Sequence, residues 1–159
     1  QLQAEGCQVD AYWADDACID EDSGNVQAIA IAEARQKSGW NGLYFGGTAF
    51  KKQRKIASNR YADAASEACK FMDVITTSGV ATGREADLGK LKTFRAAIGE
   101  RPLAVASGLS PENAKDYADV DCFMIATGIN EKDNFYDIDP ARLADLMFIT
   151  RTLFTGTSS

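Results

Sequence analysis

Three observations predict an α/β fold of parallel βα repeats. Short apolar runs rich in β-branched and aromatic residues alternate with helical patterns, the signature of βαβ units. Strand starts recur at about 30-residue intervals through the first four, the length of one βα unit. Four of the five strand ends carry a glycine paired with a hydroxyl residue or a second glycine, at the end of the strands where parallel sheets bind ligands. Two architectures satisfy this pattern: an incomplete (β/α)8 TIM-type barrel of about five units, and an open doubly wound parallel sheet. A complete barrel typically takes about 250 residues, whereas this chain has 159. It is read as one domain over residues 1–159, with 155–159 a flexible tail.

The expected elements follow in order. A strand over residues 8–13 leads to a helix over 25–38, where Val26, Ile29, Ala30 and Ala34 recur at helical spacing. A second strand at 42–45 precedes a helix over 59–71 carrying Tyr61, Ala64, Ala65, Ala68 and Cys69 on one face. After a third strand at 73–77, Asp87 caps a helix with Leu88, Leu91, Phe94 and Ile98 on one side, closed by Gly99 and Pro102. A fourth strand at 103–106 is followed by Ser110-Pro111-Glu112, which has the cap, the first-turn proline and the acidic residue of a helix start. The fifth strand spans 122–126. Asp139-Pro140 then opens a last helix with Leu143, Leu146, Met147 and Thr150 along a buried stripe.

Composition removes several function classes. The formal charge of −6, with no basic face, argues against nucleic acid or an anionic membrane as partner. No stretch approaches the roughly 20 apolar residues that span a bilayer, and residues 1–6 lack the pattern of a signal peptide. The chain opens with Gln1 rather than Met, as a processed, recombinant or partial chain does. Cys7, Cys18, Cys69 and Cys122 are widely spaced with no C-x-x-C, and are read as reduced thiols of a cytoplasmic protein, Cys69 and Cys122 in the core. With no histidine, Ser-His-Asp and Cys-His catalysis and H-E-x-x-H zinc chemistry are excluded. The carboxylates show no ligand spacing for a hard cation, so neither metal nor cofactor is expected.

Chemistry is expected at the strand ends, marked by Gly46-Gly47-Thr48, Ser78-Gly79, Ser107-Gly108 and Thr127-Gly128. Glycine lets backbone approach a ligand closely, and a hydroxyl adds a donor. Ser107-Gly108 leads toward the proposed helix start at Ser110, and Thr127-Gly128-Ile129 follows one unit later. Such a pair is the recurrent phosphate site of barrels, so Ser107, Gly108, Thr127, Gly128 and Ile129 are the candidate phosphate-binding residues. Gly47, Ser78, Gly79, Thr82 and Arg84 are further pocket candidates. Without histidine, protons would move through Asp15, Asp16 or Lys51, the catalytic candidates, and Lys51 could instead pair with a phosphate or form a Schiff base. The run Lys51, Lys52, Arg54 and Lys55 is otherwise a solvated loop.

The segments Thr76-Thr77-Ser78-Gly79-Val80-Ala81-Thr82-Gly83, Asp87-Leu88, Ser107-Gly108-Leu109-Ser110-Pro111-Glu112-Asn113, Ile125-Ala126-Thr127-Gly128 and Asp137-Ile138-Asp139-Pro140-Ala141-Arg142 together resemble the BtpA/SgcQ family of TIM barrels. The resemblance runs from about residue 73 to 151. The Ser107–Asn113 element is also similar to phosphoribosylanthranilate isomerase-like barrels. By the family resemblance, the five strands correspond to the fourth through eighth of a barrel, and a homo-oligomer or a second chain would supply the others. Where the family has an Asp and a Lys-His pair, this chain has Gly47 and Lys51-Lys52. The implied function is binding of a phosphorylated small molecule, a sugar phosphate or nucleotide-like compound, by an isomerase, lyase or hydrolase. A non-catalytic assembly factor is the alternative, since a role in photosystem I biogenesis belongs to some members.

Overall fold

The computed structural model describes residues 6, 8–81 and 83–155. Five strands, β1 (Ala11–Ala14), β2 (Leu43–Gly47), β3 (Val74–Ser78), β4 (Leu103–Ala106) and β5 (Cys122–Met124), form one sheet in the order β1-β2-β3-β4-β5. Every neighbouring pair is parallel. A doubly wound sheet reverses its strand order at a switch point. This order runs one way only, and the sheet curls as half of a barrel does.

Helices α1 (Val26–Ser38), α2 (Tyr61–Ala68), α3 (Leu88–Ile98) and α4 (Pro140–Thr155) alternate with the strands. The register pairs Ile75 with Leu103 and Thr77 with Val105. Because side chains alternate along a strand, Tyr44, Ile75, Leu103 and Val105 join Ala65, Ala68, Leu91 and Phe94 in the core between sheet and helices. Small residues, Thr76, Ala104 and Ala106, are left for the opposite, concave face, and all three are buried.

Local signals explain most boundaries. The Asp87 carboxylate accepts from Gly89 N at 2.7 Å and starts α3. Asp139 accepts from Ala141 N at 2.8 Å and Arg142 N at 3.2 Å, with Pro140 in the first turn of α4 where no N–H is missed.

Three expectations are corrected. The unit after β4 contains no α-helix: Ser110-Pro111-Glu112 opens a turn that reaches only a 3₁₀ segment, Ala114–Tyr117. The cause is anchoring at both ends, since the Tyr117 hydroxyl donates to Ala86 O at 3.0 Å and Asp121 accepts from Leu103 N at 2.8 Å. Too little chain lies between for further turns. In α1 the stripe faces outward, with Val26 75% and Ile29 43% exposed, while Ala28 is buried and Ile31 packs against the core. In α4, Leu143, Leu146 and Ile149 face Ala114 and Ile129, whereas Met147 lies on the exposed shoulder. Helix α4 includes Thr155, and residues 156–159 of the expected tail lie outside the described residues, as do Cys7 and the segment 1–5.

Candidate functional site

The loops that leave the strands are joined in series by four polar side chains. Between the first and second loops, Gln53 Nε2 donates to Asp15 O at 2.9 Å, Gly47 O at 3.0 Å and Asp16 Oδ1 at 3.2 Å, while its Oε1 accepts from Phe50 N at 2.9 Å. Between the second and third, Lys90 of α3 donates to Ala49 O and, at 3.0 Å, to Ser78 O, and Lys51 N donates to Ser78 Oγ at 2.8 Å. Between the third and fourth, Asn113 Nδ2 donates to Glu85 Oε1 at 2.9 Å and Gly108 O at 2.8 Å. Between the fourth and fifth, Arg142 holds Glu112 and the carbonyl of Gly128.

The strand-end glycines serve the same contacts. A Cβ on Gly47 would overlap the carbonyl of Asp15, one on Gly79 the carbonyls of Arg84 and Glu85, one on Gly108 the Arg84–Glu85 peptide, and one on Gly128 the carbonyl of Leu109. Each of these glycines therefore admits the backbone of a loop, where close approach to a ligand was the expectation. Gly108 also has φ of 69°, in the left-handed region.

A cavity of about 360 Å³ lies over β4 and β5, and its lining includes Trp13, Asp15, Lys51, Ser107, Gly108, Thr127 and Gly128. The structure thus brings together Lys51, Asp15 and four of the five phosphate candidates. Ile129 is elsewhere: its side chain is buried against Leu146, and its N–H donates to Ala126 O at 3.2 Å. Asp16 lines a separate hollow of about 320 Å³, which Gln53 also lines, and its Oδ1 accepts from Cys18 N at 2.8 Å. Gly47 lies beneath the loops, and Arg84 contributes backbone to the Gly79 and Gly108 contacts. Thr82 lies outside the described residues.

Two features of this cavity bear on ligand binding. Ser107 has φ of 79°, a conformation costly for any residue with a Cβ, and its buried Oγ has no hydrogen-bond partner. Among the described residues, nothing accepts from the N–H groups of Gly108 and Gly128. Ser107, Gly108 and Gly128, whose donors have no partner among the described residues, thus line the cavity together with Lys51. The predicted contribution of a helix N-terminus is absent, because the Ala114–Tyr117 turn is too short to carry a dipole of that kind.

Beside it, a second cavity of about 560 Å³ shares Lys51 and Phe50 and is lined further by Lys52, Lys55, Ser78, Gly79 and Lys90. Lys90 is 8% exposed, with its ammonium over the rings of Tyr61 and Phe94 at 5.3 and 5.8 Å. Burial pulls its pKa down from 10.5 to about 8, partly offset by Asp87. Lys90, Asn113, Gln53 and Arg142 were not identified from sequence. Only Asn113 and Arg142 carried any signal, as members of the motifs that bear the family resemblance.

Among the described residues, no group of three or more acidic or cysteine side chains could hold a metal ion, and no helix is long and apolar enough to cross a membrane. Cys18, Cys69 and Cys122 are free thiols; each is half-buried, so Cys69 and Cys122 border the core and are not enclosed in it. No known family profile matches the chain, and no curated protein sequence matches it.

Proposed function

We propose that this chain binds a phosphorylated small molecule, a sugar phosphate or nucleotide-like compound, in the cavity over β4 and β5. One observation carries the reading: the buried Ser107 hydroxyl, left without a partner on strained backbone, lines that cavity together with Lys51. A buried hydroxyl without a partner costs on the order of 1–3 kcal/mol, and a phosphate oxygen would relieve it once rotation about the Cα–Cβ bond turns the enclosed Oγ toward the cavity. The N–H groups of Gly108 and Gly128, the Thr127 hydroxyl and the Lys51 ammonium complete the donor set. If the bound compound reacts, Lys51 and Asp15 are the groups placed to move a proton in an isomerase, lyase or hydrolase reaction; Asp16 is turned away. The resemblance to BtpA/SgcQ barrels supports the same site, and a cytoplasmic setting suits the free thiols.

The assembly-factor reading draws on a different observation. Tyr12, Leu43 and Val26 are 56%, 51% and 75% exposed around the β1 edge, and Phe148 of α4 is 74% exposed. Apolar surface of this kind suits contact with another chain, a second copy first. A thermal-shift titration with ribose 5-phosphate separates the two, because a ligand that binds the folded state raises the melting point by mass action. A saturable rise that Lys51→Gln and Ser107→Ala both weaken supports the binding site. A cooperative melt that no phosphorylated compound moves favours the assembly role.

A further inference from the structure

The second cavity holds an excess of positive charge, opposite in sign to the chain as a whole. The net charge is −6, yet Lys51, Lys52, Lys55 and Lys90 converge on one hollow, and among the described residues none has a carboxylate within ion-pair distance. Arg54, on the same loop, is different: it is neutralised by Glu21 and Asp20. Glu85 and Asp87 also line the hollow; their partners, the Asn113 amide and the Gly89 N–H, are neutral, so both charges remain and the four lysines exceed them by two.

The lysine loop is held in place by features other than its charges. Ala49 and Lys52 have φ of 48° and 66°, left-handed values that non-glycine residues seldom adopt. Gln53 Oε1 ties the turn to Phe50 N, and Lys90 ties Ala49 O to Ser78 O from below. Like charges are thus kept close on strained backbone, an arrangement that an anion would stabilise. Lys51 lines this cavity and the one over β4 and β5, so the two hollows adjoin along its side chain.

We propose that the ligand carries two anionic groups, a phosphate held by the Ser107 and Thr127 loops and a second phosphate or carboxylate held by Lys52 and Lys55 above the buried charge of Lys90, with Lys51 between them. This rests on the phosphate site proposed above and narrows its ligand class to bisphosphates and phosphate-carboxylates. Each added charge-assisted contact strengthens binding, and a tenfold gain corresponds to about 1.4 kcal/mol.

The test compares ribose 5-phosphate with fructose 1,6-bisphosphate on the full chain and on the double variant Lys52→Gln/Lys55→Gln, by thermal shift and calorimetric titration. Both substituted lysines are exposed, so the variant should fold. The bisphosphate is expected to bind about tenfold or more tightly than the monophosphate, an advantage that falls to within about twofold in the variant. Equal affinity of the parent for both compounds, or an advantage that survives the substitutions, overturns the second anion site and leaves the first standing. Failure of both compounds to bind overturns the first site and this inference with it.

Discussion

Arg142 and Glu112 form a parallel two-bond pair, Nη1 to Oε1 at 2.8 Å and Nη2 to Oε2 at 2.9 Å, that joins the last helix to the loop after β4. The same guanidinium donates from Nε and Nη2 to Gly128 O at 3.0 and 2.8 Å. One side chain thus fixes both loops that line the cavity over β4 and β5. The planar fork is what allows this, and a lysine could not reproduce it. Arg142→Lys is expected to lower stability by about 1 kcal/mol and to weaken ribose 5-phosphate binding several-fold, measured by chemical denaturation and titration on the same samples.

The pair also sets an acid limit. The Arg142 guanidinium, followed by a hydrogen bond from Ser110, holds the Glu112 carboxyl down to about 2 from an ordinary 4.5. A depressed carboxylate contributes stability that is full above pH 4.5 and lost as pH falls toward 2. Because the carboxylate is exposed, the contribution is at most about 1 kcal/mol. Denaturation midpoints of the parent and of Glu112→Gln should therefore differ at pH 6 and converge near pH 2.

Lys90 gives a slope of the same sign in the alkaline range. Its pKa in the fold is about 8 against 10.5 for an unhindered lysine, so the unfolded chain binds the extra proton between those values. The penalty for burying the charge is present in full below pH 8 and is relieved as pH rises to 10.5. At 1.36 kcal/mol per pH unit, the protein should gain up to about 3 kcal/mol over that window relative to Lys90→Met. Parallel pH profiles of the two proteins would show that the ammonium is solvated in the fold.

Ser107→Ala separates binding from folding. The hydroxyl makes no bond in the fold, so its loss should leave the melting point unchanged or raise it slightly. Phosphate affinity should fall about tenfold, by the loss of one hydrogen bond to a charged group. A large drop in melting point would mean that the hydroxyl has a partner within the folded chain.

Gly128→Ala and Gly47→Ala should each cost about 2 kcal/mol or more, because the added methyl meets a carbonyl of the neighbouring loop and not the end of a flexible side chain. Gly24→Ala is the comparison: no atom lies within reach of its Cβ, and only its φ of 88° opposes the change, at about 1 kcal/mol. Equilibrium denaturation of the three variants would rank them.

The alternation of strands and helices was readable because both signals are strong: Val74, Ile75, Thr76 and Thr77 are all β-branched, and Leu88, Leu91, Phe94 and Ile98 recur at helical spacing. The strand order was not readable from spacing alone, since a reversing sheet has similar unit lengths. In α1, alanine occupies both faces, so the spacing could not show that Ala28 faces inward and Val26 outward. The unit after β4 misled because its cap signals are local while the anchors that end it, Ala86 for Tyr117 and Leu103 for Asp121, come from elsewhere in the chain. The glycines were found, but a glycine that admits a neighbouring carbonyl carries the same letter as one that admits a phosphate. Lys90 lay in a helix read for its apolar face, and its reach to Ala49 O spans 41 residues.

The sheet order that follows the chain order also has a kinetic meaning. Each strand pairs with the strand one unit earlier, so no segment waits for a distant partner, and the sheet can grow outward by adding one unit at a time. During synthesis β2 can dock on β1 before β3 is made, and β3 on β2 before β4. The last step is then the arrival of α4, which carries Arg142 to Glu112 and Gly128. A nascent chain cut short after β5 would hold its sheet but lack both the apolar cover of α4 over Ala114 and Ile129 and the clasp across its final two loops.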